Sequence, residues 1–231
     1  MRNIRKNIEF VRDAIKSLEN ASHPVELIAV TKTFPPEDVL EALNCGIKNI
    51  GENKIQEAVP KFNKIGSLLS GVAKHFIGHL QTNKAKKAVE NFDFIQSLDS
   101  LELANDINRH AVNAGKIQNC LIEVKISQED SKTGVSPEKV MEFYSKCLSI
   151  SNITIRGLMT IAPYSNDPEN SRSYFRDVWK LFEAVKQYYA KPDFDILSMG
   201  MSADYKVAIE EGATMVRVGS AIFGERNYGN K

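Results

Sequence analysis

Apolar positions recur along this chain with two alternating periods. Residues 2–20 place Ile4, Ile8, Val11, Ile15 and Leu18 at spacings of three and four, the period of a helix with one buried stripe. Residues 25–30, VELIAV, form a short apolar run of the kind that predicts a buried strand. Pro36 suits the first turn of a following helix, and Cys45-Gly46 closes it. The unit then repeats. Further strands are predicted at 47–51, 75–78, 92–97, 120–126, 153–161, 194–199 and 215–220, with helices at 53–68, 82–90, 100–115, 137–149, 169–190 and 204–211. Strands separated by helices imply a parallel sheet with crossover connections. Eight such units fit an α/β fold, a single closed (β/α)8 TIM-type barrel with an extra N-terminal helix, one domain over residues 1–231. An open doubly wound sheet would more often carry a Gly-rich turn after its first strand, and VELIAVTKTFPP has no glycine.

Composition narrows the picture. Apolar residues make up 42% of the chain, enough for a sizeable core. Lys plus Arg number 30 against 29 Asp plus Glu, a net charge of +1. That balance argues against a general binder of nucleic acid or of a membrane surface, which needs a basic excess on one face. No apolar run approaches the ~20 residues that span a bilayer. The charged start, MRNIRKNIEF, does not resemble a signal peptide. Cys45, Cys120 and Cys147 are odd in number, lack a CxxC pair and lie near apolar residues, as buried free thiols do. A cytoplasmic protein is the expectation. A barrel of this type usually takes about 250 residues, so 231 residues leave little room for a second domain.

In such a barrel the chemistry sits at the C-terminal ends of the strands. Lys32 follows the first strand and shares parity with Ile28 and Val30. A lysine at an apolar mouth is costly to keep charged, and a neutral amine attacks aldehydes; a lysine reaching out to solvent is the alternative. After the second, third and fifth strands come Glu52 and Asn53, then His79, Gln81 and Asn83, then Lys132 and Thr133. Strand six ends in Met159, Thr160 and Ile161. The loops after strands seven and eight often bind phosphate in barrels, and here they hold Ser198, Gly200, Ser202, Gly219 and Ser220. Ordinary turn chemistry would use the same residues. Alternation points Arg217 into the barrel, where it needs an acceptor: a carboxylate, or a ring nitrogen of a ligand. His75 and His79 share a strand face, yet no third metal ligand lies near in sequence. Lys84, Lys86 and Lys87 are expected on a solvated helix face.

Six motifs together resemble the pyridoxal phosphate homeostasis proteins: AVTKTFP (29–35), IGENKIQE (50–57), HFIGHLQTNK (75–84), GLMTIAP (157–163), LSMGMSADYKVAI (197–209) and VRVGSAIFGER (216–226). The resemblance covers nearly the whole chain. It implies the type III fold of pyridoxal 5′-phosphate (PLP) proteins, related to the N-terminal barrel of alanine racemase. It implies that Lys32 carries PLP as a Schiff base. Ser202, Gly219 and Ser220 match the phosphate positions, and Arg217 matches the arginine facing the pyridine nitrogen. Asn53, His79, Met159 and Ser198 match residues lining the site. The implied function is to hold, buffer or deliver PLP, with PLP-dependent apo-enzymes as partners, no robust turnover, and effects on vitamin B6 and amino-acid balance. A PLP-dependent amino-acid racemase is the competing expectation. Racemisation by two bases needs a second acid/base opposite Lys32, and in alanine racemase a second domain of the partner subunit supplies it. A barrel enzyme acting on sugar phosphates through Lys32 is the third reading, and it leaves Arg217 unexplained.

Overall fold

The computed structural model describes residues 3–18, 24–126 and 133–225. Its eight parallel strands are β1 (Glu26–Val30), β2 (Asn49–Glu52), β3 (Ala73–Phe76), β4 (Phe94–Leu98), β5 (Gln118–Val124), β6 (Ile153–Thr160), β7 (Ile196–Met201) and β8 (Met215–Val218). They pair in sequence order, and β8 returns to β1 with Ile28 beside Arg217 and Ala29 beside Val218. The closed parallel barrel is therefore the expected one.

The helices among the described residues are α1 (Ile4–Leu18), α2 (Pro36–Asn44), α3 (Ile55–Ile65), α4 (Ala85–Asn91), α5 (Leu101–Asn113), α6 (Val140–Cys147), α7 (Arg172–Tyr189), α8 (Tyr205–Glu210) and α9 (Ser220–Phe223). Helix α1 buries Ile4, Ile8, Val11 and Ile15, the predicted stripe. Pro36 opens α2, where the missing N–H costs nothing, and Gly46 follows Cys45 with φ of 78°. The side chain of Ser100 caps α5 by accepting the N–H of Leu103.

Several boundaries differ from the sequence expectation. Strand β3 lies two residues earlier than predicted, because Lys74 and His75 take ladder positions beside Ile50 and Gly51. The predicted helix starts at 82, 137 and 169 are 3₁₀ turns or lie close to them. Periodicity does not predict helix α9, because the apolar AIF of SAIF continues the β8 run.

Two cores result. The larger fills the layer between barrel and helices. The smaller lies inside the barrel, where Ile28, Val30 and Met215 pack with Ile77 and Ile196. Cys120 and Cys147 are buried free thiols and Cys45 is half-buried. Lys86 and Lys87 are exposed on α4, while Lys84 is half-buried. No helix of the described residues is long and apolar enough to cross a membrane.

Candidate cofactor site

Lys32 stands in the turn directly after β1, half-buried. The N–H of Phe34 donates to the Thr31 carbonyl at 3.1 Å and closes that turn. Thr33 is held at φ of 68°, a left-handed conformation that β-branched residues seldom adopt and that costs on the order of 1–3 kcal/mol. A buried clamp holds the turn. The Lys61 ammonium donates to the Thr31 carbonyl at 2.7 Å and to Glu52 Oε1 at 2.6 Å. The Thr31 hydroxyl donates to the same Glu52 oxygen at 2.7 Å. Burial pushes the Glu52 carboxyl up from its ordinary value, and Lys61 and Thr31 pull it part of the way back.

Lys32, Asn53 and His79 line one cavity of about 480 Å³ at the C-terminal mouth of the barrel. Ile77, Gly78, Glu123, Lys125, Thr133 and Ile161 complete most of its wall. Its volume falls in the ~300–1,000 Å³ range of small-molecule sites. Gly78 is required here, since a Cβ would overlap the Asn53 carbonyl oxygen. Asn53 Oδ1 is a buried acceptor without a hydrogen-bond partner among the described residues. His79 lies at the rim with Nδ1 3.6 Å from Asp99 Oδ2. Lys132 lies outside the described residues.

Arg217 sits deeper, level with Ile28 in the β1–β8 register. Its guanidinium is buried and meets neutral acceptors instead of a carboxylate. Nη1 donates to the Ser198 carbonyl and to Ser198 Oγ, both at 2.8 Å, and Nη2 donates to the Thr160 carbonyl at 2.8 Å. Burial pulls its pKa down to about 10, so it stays charged at neutral pH. Met159 is buried between strands, beside Glu123 on β5 and Ser198 on β7.

A directed chain of hydrogen bonds runs from Arg217 through the barrel interior. Ser198 Oγ donates to Gln96 Oε1 at 2.8 Å, and Gln96 Nε2 faces His75 Nδ1 at 3.1 Å. An amide nitrogen donates, so His75 Nδ1 accepts and Nε2 carries the proton toward Asn49 Oδ1 at 3.2 Å. Burial holds His75 neutral, with its pKa lowered to about 3. This resolves the His75–His79 spacing: one ring belongs to the interior chain and stacks on Phe94, the other to the rim. Among the described residues no group of three metal-ligating side chains occurs.

Ser202, Gly219 and Ser220 form a separate shelf between the ends of β7 and β8. Ser202 Oγ accepts the N–H of Gly219 at 3.1 Å and of Ala221 at 3.2 Å, at the start of α9. Gly200, at φ of 90°, lets β7 bend onto α8; a Cβ there would strike Tyr205 and Ala208.

Among these residues Lys32, Asn53, His79, Met159, Ser198, Ser202, Arg217, Gly219 and Ser220 stand out from the sequence, whereas Glu123, Gln96 and Lys61 do not. Glu123 shares strand parity with Leu121 and Lys125 in LIEVKI, a signal that a polar residue inside an apolar run could have supplied. Gln96 and Lys61 carried no comparable signal.

Comparison with known proteins bears on the fold and the family. The family model described as alanine racemase, N-terminal domain, matches residues 1–227. A pyridoxal phosphate homeostasis protein of Aquifex aeolicus is 41% identical over 223 residues, covering 96% of each chain. That of Escherichia coli K12 is 35% identical over 236 residues, covering 100% of each. The solved structure of PipY from Synechococcus elongatus, with PLP bound, matches with a TM-score of 0.86 and 34% identity, over 96% of this chain and 100% of that one. An alanine racemase of Clostridium difficile shares the fold alone, with a TM-score of 0.71 and 16% identity, over 96% of this chain and 57% of that one. Full-length likeness at these identities, on a barrel with a lysine at its mouth and a buried arginine below, makes the chain a member of the pyridoxal phosphate homeostasis protein family.

Proposed function

We propose that this protein binds PLP reversibly as a Schiff base on Lys32, and buffers or delivers it to PLP-dependent apo-enzymes, thereby affecting vitamin B6 and amino-acid balance. The carrying observation is the placement of Lys32 in the wall of a small-molecule cavity. The buried and unpartnered Asn53 Oδ1 in the same wall supports a polar ligand there. When bound, PLP supplies an aldehyde that amines capture, and an electron sink for carbanions.

The residues divide the work by chemistry. Lys32 takes the aldehyde carbon. Arg217 would hold the ring-nitrogen edge; protonated, it would give up no proton, so the nitrogen would stay unprotonated and the sink would be weakened. Ser202, Gly219 and Ser220 would hold the phosphate. The amides of Gly219 and Ala221 already converge on one oxygen, that of Ser202, so an anion at this edge would meet oriented donors. Asn53, His79, Met159 and Ser198 shape the remaining wall and floor.

The test is spectroscopic. Protein mixed with PLP should gain the absorbance of a protonated C=N bond, and borohydride should fix the label on the peptide containing Lys32. A colourless mixture, or a label on another lysine, overturns the reading. The weakened sink carries its own expectation: L-amino acids incubated with loaded protein in deuterated water should exchange their α-protons slowly, without racemisation. Rapid exchange measured by NMR would favour the racemase instead. Ser202→Ala should cost about 1–2 kcal/mol through the two amides it leaves unpaired, read as a lower Tm. It should also narrow the preference for PLP over pyridoxal, measured by competition.

A further inference from the structure

The cavity holds a carboxyl that the reading above does not use. Glu123, on β5 beside Met159 of β6, lines the same wall as Lys32, and no other described residue of that wall carries a carboxyl. Among the described residues, the Thr133 hydroxyl lies 3.5 Å from Glu123 Oε2.

Joining an amine to an aldehyde forms a C=N bond and expels the oxygen as water. The nitrogen loses two protons and the oxygen gains two. A carboxyl that gives one proton to the departing oxygen and takes one from the nitrogen ends unchanged. The same group run backwards serves release, in which water returns the oxygen.

We propose that Glu123 is the proton-transfer group for capture and release of the cofactor aldehyde at Lys32. This rests on the Lys32 reading. The charged surroundings favour it. Burial, and then Asp99 after β4, push the Glu123 carboxyl up, while Arg217 on β8 and the Thr133 hydroxyl pull it part of the way back, to about 7. Lys32 from the β1 turn, His79 from the β3 loop and Lys125, just after β5, share the cavity with it. Both forms of the carboxyl are therefore populated near neutrality, as a group that gives and takes protons requires.

The test follows capture of PLP by stopped-flow absorbance between pH 5.5 and 9, in wild type, Glu123→Gln and Thr133→Val. The wild-type rate should fall with rising pH along a limb centred near 7, where the acid form is lost. Glu123→Gln should lose that limb and run roughly 100-fold slower below it. Thr133→Val, which removes the hydroxyl that favours the anion, should move the limb to higher pH, and it keeps the test open should Glu123→Gln fail to fold. A second readout needs no cofactor: ¹³C NMR of the PLP-free protein should show one carboxyl titrating near neutrality, absent in Glu123→Gln. A Glu123→Gln profile that matches wild type, or an unmoved limb in Thr133→Val, overturns the proposal while leaving the Schiff base intact. A wild type that forms no C=N bond at Lys32 overturns both.

Discussion

Lys32→Ala should abolish the C=N absorbance and the borohydride-stable label completely, while the protein stays folded. The side chain is half-buried at the end of a turn and lies outside both apolar cores, so truncation removes little packing. The turn itself is held by the Thr31 backbone and by Lys61, and these remain. Arg217 and the Ser202 shelf are also untouched, so PLP should still bind, without the covalent bond and more weakly. Intact-mass spectrometry after borohydride separates the outcomes: wild type gains the cofactor and Lys32→Ala does not. Equilibrium dialysis should find a residual, salt-sensitive affinity in the variant. Loss of folding by circular dichroism would mean that Lys32 is a structural residue first.

Lys61→Met should destabilise the protein by about 3–5 kcal/mol, the typical cost of removing one partner of a buried ion pair. The Glu52 side chain is fully buried and that of Lys61 is 7% exposed. Among the described residues, Glu52 Oε1 without the ammonium keeps only the Thr31 hydroxyl, and Oε2 already lacks a partner. The sign of the pH dependence follows from the raised Glu52 pKa. A native state that holds a carboxyl proton more tightly than the unfolded chain loses stability as pH rises above the unfolded value near 4.3. The Lys61→Met deficit should therefore shrink toward pH 4 and reach full size near neutrality, measured by urea unfolding at both. The double variant Glu52→Leu with Lys61→Met should recover most of the loss, since an apolar pair of similar volume avoids the desolvation cost. The single variant should also slow capture of PLP, because the carbonyl that Lys61 holds belongs to the residue before Lys32.

These two residues show where sequence reading was strong and where it stopped. Lys32 was visible because it breaks an apolar run at a strand end, a local anomaly. Lys61 sits in PKFNK, among residues that look like a solvated helix face. Its burial depends on the length of its stem reaching under the β1 turn, and no periodicity encodes that. Arg217 was rightly placed inside by alternation. Its acceptors could not be guessed, because Ser198 and Thr160 lie 19 and 57 residues away and meet it only once β6, β7 and β8 are in register. Glu123 could have been flagged by parity alone, but its neighbours Asp99 and Arg217 arrive from other strands.

By itself, the sequence determined the alternation of strand and helix, the count of eight units, the inward parity of the first and last strands and the lysine at the first strand's end. All of these follow from local chemistry: apolar spacing, turn residues and the cost of a charge beside an apolar run. Tertiary structure decided which polar groups share a space. Closing the barrel sets β8 against β1, brings Ser202 over the amides of Gly219 and Ala221, and lets a hydrogen-bonded chain run from Arg217 to Asn49. The physical reason is that hydrogen bonds and buried charges act within a few ångströms, while their partners can lie 102 residues apart, as Ser198 does from Gln96, or 215 apart, as Asn7 does from Ile222.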